Sequence, residues 1–184
     1  MRRRGPSADA LALAAAVLLA ALAAPGVSLA QAPALETAVK ATYLYKFAAF
    51  VEWPAAAFDS PTAPAQLCIA GDDPFGPVLA QAVRGQTIGD HPIALVHLDR
   101  VDKAARCHIL FVAPSRGQSM AEALDKVRGE PILTVTDAAS NPAGRGLIDF
   151  VLKDNRVRFR IDARGAGQAG LTVSSKLLSL AVAP

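Results

Sequence analysis

The chain is short of the side chains that most often carry chemistry. Its 184 residues include two cysteines, three histidines, two methionines and one tryptophan. Two cysteines without a cluster of histidines offer too few soft ligands for a zinc site, so no metal centre and no cofactor is expected. Charged residues are only 19% of the chain against 52% hydrophobic, which excludes an intrinsically disordered polypeptide. The 13 glycines and 13 prolines follow no period, excluding collagen and low-complexity tracts. No internal repeat is visible, and the length suits one ordinary domain better than two.

What is present begins with a leader. Arg2, Arg3 and Arg4 form a positive segment, Leu11 to Ala24 an uninterrupted apolar run, and Ser28-Leu29-Ala30 a small-residue cleavage site. This pattern predicts a secretory signal peptide over residues 1–30, with Gln31 opening the mature chain. The apolar run is about 14 residues, short of the roughly 20 a membrane span needs, and no lipobox cysteine lies near the cut. An exported protein, soluble after cleavage, is expected. The leader holds three of the 19 basic and one of the 16 acidic side chains, so the mature charge falls from +3 to +1. So little basic excess gives scant counterion-release driving force, and nucleic-acid binding is set aside.

An exported chain lets Cys68 and Cys107 pair. Each opens an apolar run, and if the two runs share a sheet the sulfurs fall within reach; the alternative is two buried free thiols. Apolar residues at spacings of three and four, from Val39 to Val51, predict an amphipathic helix over 35–53, stopped by Pro54. Strands follow at 66–71, 92–98, 107–113 and 131–136. Helices are predicted from the Asp72-Asp73-Pro74 start to 83, and over 119–128 with Ser119 and Glu122 at capping-box spacing. A hairpin spans 147–152 and 156–161 about the polar Lys153-Asp154-Asn155 segment. A closing helix from about Gly170 would use Leu171, Leu178 and Val182 as its inner stripe. The alternation predicts an α/β single domain: a mixed, mostly parallel sheet of about six strands flanked by helices, with a C-terminal hairpin and final helix.

No motif assembles a catalytic group. Gly165 to Gly170 spells a dinucleotide fingerprint, but only 14 residues follow Gly170 and none is acidic. Gly117-Gln118-Ser119 approximates a nucleophile elbow, yet His91, His97 and His108 all precede the serine, and helix capping reads better. His108, inside the most apolar strand, is expected to be a satisfied core histidine, and neither His91 nor His97 has an evident partner. Asp72 and Asp73 cap a helix, or bind a small ligand at the carboxyl end of a strand. Arg156, Arg158 and Arg160 alternate with Val157, Phe159 and Ile161, so one strand face carries three guanidiniums. Asp149 stands on the neighbouring strand to neutralise one of them. The stripe is either a solvated face or a docking surface for an acidic partner or anionic ligand.

Several stretches resemble the YfiR family. They are Val39-Lys40-Ala41-Thr42-Tyr43-Leu44-Tyr45-Lys46-Phe47 with Val51-Glu52-Trp53-Pro54, then Leu67 to Gly76, Cys107 to Phe111, Leu133 to Asp137, Val157 to Asp162 and Leu177-Leu178. The resemblance implies a periplasmic signalling protein rather than an enzyme. Such a protein binds the sensor region of an inner-membrane diguanylate cyclase and inhibits it, lowering cyclic-di-GMP and biofilm formation. It further implies a homodimer, sequestration by an outer-membrane lipoprotein, and a disulfide joining Cys68 to Cys107. The second cysteine pair of some members is absent here. The competing reading is a periplasmic small-molecule sensor.

Overall fold

The computed structural model describes residues 31–140 and 144–183. The leader and its cleavage site lie outside the described residues. From Pro33 onward the chain folds as one unit.

Alternating β-branched and aliphatic runs build a seven-stranded sheet. Its strands are β2 (Ala65–Ala70), β3 (Thr87–Ile88), β4 (His91–Leu98), β5 (Ile109–Val112), β6 (Leu133–Asp137), β7 (Ile148–Lys153) and β8 (Arg156–Ile161). The order is β3-β4-β2-β5-β6-β7-β8. The five central strands run parallel, and β3 and β8 close the edges antiparallel. The expected α/β fold is therefore present, with one strand more than the sequence suggested. The addition is β3, two residues folded back on β4 through Gly89-Asp90, too short for any periodicity to mark it.

Side chains alternate across the sheet and fill two cores. On the first face Leu67, Ile69, Ile109, Phe111, Val135, Ile148 and Phe150 pack against Ala41 and Leu44 from α1 (Gln31–Lys46), Phe47 just beyond its end, Leu79 from α2 (Pro77–Ala82), and the C-terminal segment. On the second face Cys68, Ala70, Leu110 and Val112 pack against Met120 and Ala123 of α3 (Met120–Lys126). Ser119 caps α3 by accepting from the Glu122 N–H at 3.2 Å, and Gln118 bonds both the N–H and the C=O of Val101 at 2.8 Å. The elbow-like segment is thus a helix entry, as expected.

Three boundaries differ from the expectation. The first helix ends at Lys46 rather than Trp53; a 3-10 turn (Phe47–Phe50) follows, then β1 (Val51–Glu52), which pairs antiparallel with β9 (Thr172–Val173). Val51 is β-branched and Trp53 precedes a proline, so both favour extended geometry, and strand pairing at Val173 takes the last predicted turn of helix. The second helix starts at Pro77, not after Asp72. Gly76, at φ +51, is its N-cap, while Asp73 accepts from the Phe75 N–H in a local turn. The closing helix, α5 (Ser175–Leu180), starts later than Gly170 because β9 takes Thr172–Val173, and a short helix that the sequence did not suggest, α4 (Ala163–Gln168), precedes it. Gly170, at φ +74, terminates α4, and Ser174 caps α5 by accepting from the Leu177 N–H at 3.3 Å. That restart rotates the inner stripe: Leu171 and Leu177 are buried, whereas Leu178 is 38% exposed.

Candidate functional site

The strand order places a topological switch between β2 and β5, where open α/β sheets tend to bind ligands. Here the two strand ends are stitched together. The Asp72 N–H donates to Pro114 C=O at 2.9 Å, and a Cβ on Gly71 (φ +90) would lie 2.6 Å from the Ala113 oxygen. Asp72 points to solvent. Asp73, besides its turn, meets His97 Nε2 at 3.0 Å, the partner the sequence did not reveal.

The disulfide forms between β2 and the approach to β5, with Cα atoms 5.8 Å apart and a sequence separation of 39. Beside it, the loop from Trp53 to Pro64 is clasped by two histidines. His108 Nδ1 accepts from the Gln66 N–H at 3.0 Å, which makes Nε2 the donor to Ala57 C=O at 3.0 Å. His91 Nδ1 donates to Ala63 C=O at 2.7 Å. Phe58 lies stacked between the two rings, with centroids at 3.7 Å from His91 and 4.2 Å from His108. Burial pushes the His108 imidazole below its ordinary value, outweighing the opposing bond to Ala57. His108 is the satisfied core histidine expected, and His91 holds a loop.

The hairpin folds as the sequence predicts, about Asp154 and Asn155, both at positive φ. Val157 and Phe159 are buried on the first face; Arg156 is exposed and Arg158 and Arg160 are half-buried on the second. The register sets Lys153 opposite Arg156, Val151 opposite Arg158 and Asp149 opposite Arg160. The outer part of this face is therefore cationic, with Asp149 at its inner end.

A second feature escaped the sequence. Between α1, β8 and α5 lies an apolar cleft of about 170 Å³, floored by Tyr43, Phe47, Phe159 and Leu177 and edged by Lys46 and Arg158. Lys176 Nζ stands 5.9 Å over the Phe50 ring nearby. Leu180, on the cleft, is 57% exposed, and Leu152, paired with Val157 across the hairpin, is 56% exposed. Exposed leucines of this kind beside basic side chains make a surface suited to an apolar, acidic partner. The signal was in the sequence as Leu152 and Leu180, but only the folded hairpin and helix bring them to one side.

Among the described residues no helix is long and apolar enough to cross a membrane, and no group of three or more His, Cys, Asp or Glu is placed to hold a metal ion. No curated protein matches the chain. The model of the YfiR/HmsC-like family matches residues 37–182, which span every strand and helix described above except the first turn and a half of α1. The chain belongs to the YfiR/HmsC-like family.

Proposed function

We propose that this protein is a periplasmic repressor that binds the sensor region of an inner-membrane diguanylate cyclase and holds it inactive, lowering cyclic-di-GMP and biofilm formation. The family match over residues 37–182 carries the reading. The cationic hairpin face and the neighbouring apolar cleft support it, since together they offer an acidic, apolar-tipped partner both charge and burial. No catalytic group is needed: a repressor that prefers one state of its partner shifts that partner's equilibrium by the difference in affinity. Release follows when a competing binder, in this reading an outer-membrane lipoprotein, takes up the repressor. A homodimer is part of the same proposal.

The test is calorimetry of the mature protein against the purified sensor region of the cyclase from the same cell. A saturable complex is expected, weakened about 10- to 100-fold by Arg156→Glu with Arg158→Glu. Absence of a complex with the parent protein would refute the repressor reading.

A further inference from the structure

The two edges of the sheet are finished differently. The outer edge of β8 carries Arg156, Arg158 and Arg160, and its Phe159 C=O accepts from the Val182 N–H at 2.9 Å. Charge and a covering segment are two ordinary ways of keeping a strand edge from pairing with another chain. At the opposite edge β3 covers only His91 and Pro92 of β4. From Ile93 to Leu98 the strand then holds no acidic or basic residue other than His97, and no proline, glycine or bulge.

The direction of each backbone group on that edge follows from its bonds. Leu98 C=O accepts from the Gly71 N–H at 3.4 Å on the β2 side, whereas the Ile93 N–H donates away from β2 to Gln86 C=O at 3.0 Å. These directions alternate along a strand, so Ala94, Val96 and Leu98 turn their groups to β2, and Leu95 and His97 turn theirs outward. Among the described residues nothing bonds to the outward N–H and C=O of Leu95 and His97. The edge is open to solvent: His97 is exposed and the rest of 93–98 half-buried, whereas β2, flanked on both sides, is buried from Leu67 to Ala70.

We infer that β4 pairs with β4 of a second copy of this chain, antiparallel about a two-fold axis at Val96, joining the two sheets into one. Leu95 of each copy then exchanges both backbone bonds with His97 of the other, and the two Val96 side chains meet at the non-hydrogen-bonded position on the axis. The strand ends at Leu98 and the chain bends away, before it would meet β3 of the second copy. Ile93 and Leu95 extend the first core across the junction, and Val96 and Leu98 the second. No like charges meet along it, so a second copy is not repelled. A foreign strand would find no charge here to select it, while the outward groups of Leu95 and His97 are complementary to themselves about one axis. The arginine stripe and the apolar cleft stay at the far end of each sheet, free for another partner. This assignment rests on the homodimer of the repressor reading and names its surface.

Sedimentation velocity of the mature protein gives the dimer dissociation constant, and residue-resolved hydrogen exchange then locates the contact. The Leu95 and His97 amides should exchange about fourfold slower at about ten times that constant than at about one tenth of it, the change in free monomer that mass action gives. The Val96 and Leu98 amides, bonded to β2, should exchange equally slowly at both. His97→Pro removes an outward N–H and no bond of the monomer's own sheet, so it should weaken the dimer at least about tenfold, while His97→Ala dimerises as the parent does. The exchange comparison uses the parent chain, so the assignment stays testable should His97→Pro not fold. A dimer whose Leu95 and His97 amides exchange alike at both concentrations would place the interface elsewhere and overturn the assignment. So would protection of those amides only on adding the sensor region of the cyclase. A protein that stays monomeric up to about 1 mM would overturn it together with the homodimer, and calorimetry against the sensor region would still decide repression on its own.

Discussion

The buried titratable side chains give opposite pH signatures, which makes single residues testable. The His108 imidazole is neutral in the fold, and its proton affinity lies below the ordinary 6.5 because burial disfavours the cation. Its stabilisation is therefore present above about pH 6.5 and is lost as pH falls through the lowered folded value. Asp149 behaves in reverse. Its folded value is raised above 3.8, so its contribution is complete below that pH and is lost as pH rises through the raised value. His108→Ala should cost about 2–4 kcal/mol, because the Gln66 N–H and Ala57 C=O lose their partner. It should also flatten the decline in stability below about pH 6.5. Urea denaturation across pH measures both, and an unchanged acid limb would place the sensitivity elsewhere. Gly71→Ala, with φ +90 and a Cβ driven against the Ala113 carbonyl, should lose more than about 2 kcal/mol. A melting temperature equal to that of the parent would contradict the close approach of β2 and β5.

At the scale of elements, the C-terminal segment supplies the sharpest contrast. Leu177 is buried against the first core while its neighbour Leu178 faces outward, so Leu177→Ala should cost about 2–4 kcal/mol and Leu178→Ala under about 1. The reverse ranking would restore the continuous helix that the spacing of Leu171 and Leu178 predicts. Strands β2 and β4 to β8 and the hairpin were legible because their apolar runs and the strict alternation of residues 156–161 are local signals. Strands β1, β3 and β9 have two residues each and exist only through partners distant in sequence, which no window of sequence contains. The helix α4 over the glycine-rich stretch was not legible either. Asp162 caps a helix there by accepting from the Gly165 N–H, and that helix holds Gly165 and Gly167 in its interior, against their intrinsic preference. For the candidate site, the arginine stripe and Asp149 could be read from spacing, and the cysteine pair from resemblance. The exposed leucines of the cleft come to one side only when the chain is folded.

For the whole molecule, the disulfide ties stability to the proposed repression. It closes a loop of 39 positions across the second core, worth about 4 kcal/mol in the chain-entropy model. Cys68→Ser with Cys107→Ser should therefore unfold at a denaturant concentration lower by a matching amount, and repression should weaken with it. A double variant as stable and as repressive as the parent would remove the bridge from the account. The proposed repression is most directly read in the cell. Deleting the gene should raise intracellular cyclic-di-GMP and biofilm mass. Returning the parent protein to the periplasm should restore both, while the Arg156→Glu, Arg158→Glu form should not. Cyclic-di-GMP that stays level when the protein is removed would contradict the account at its centre.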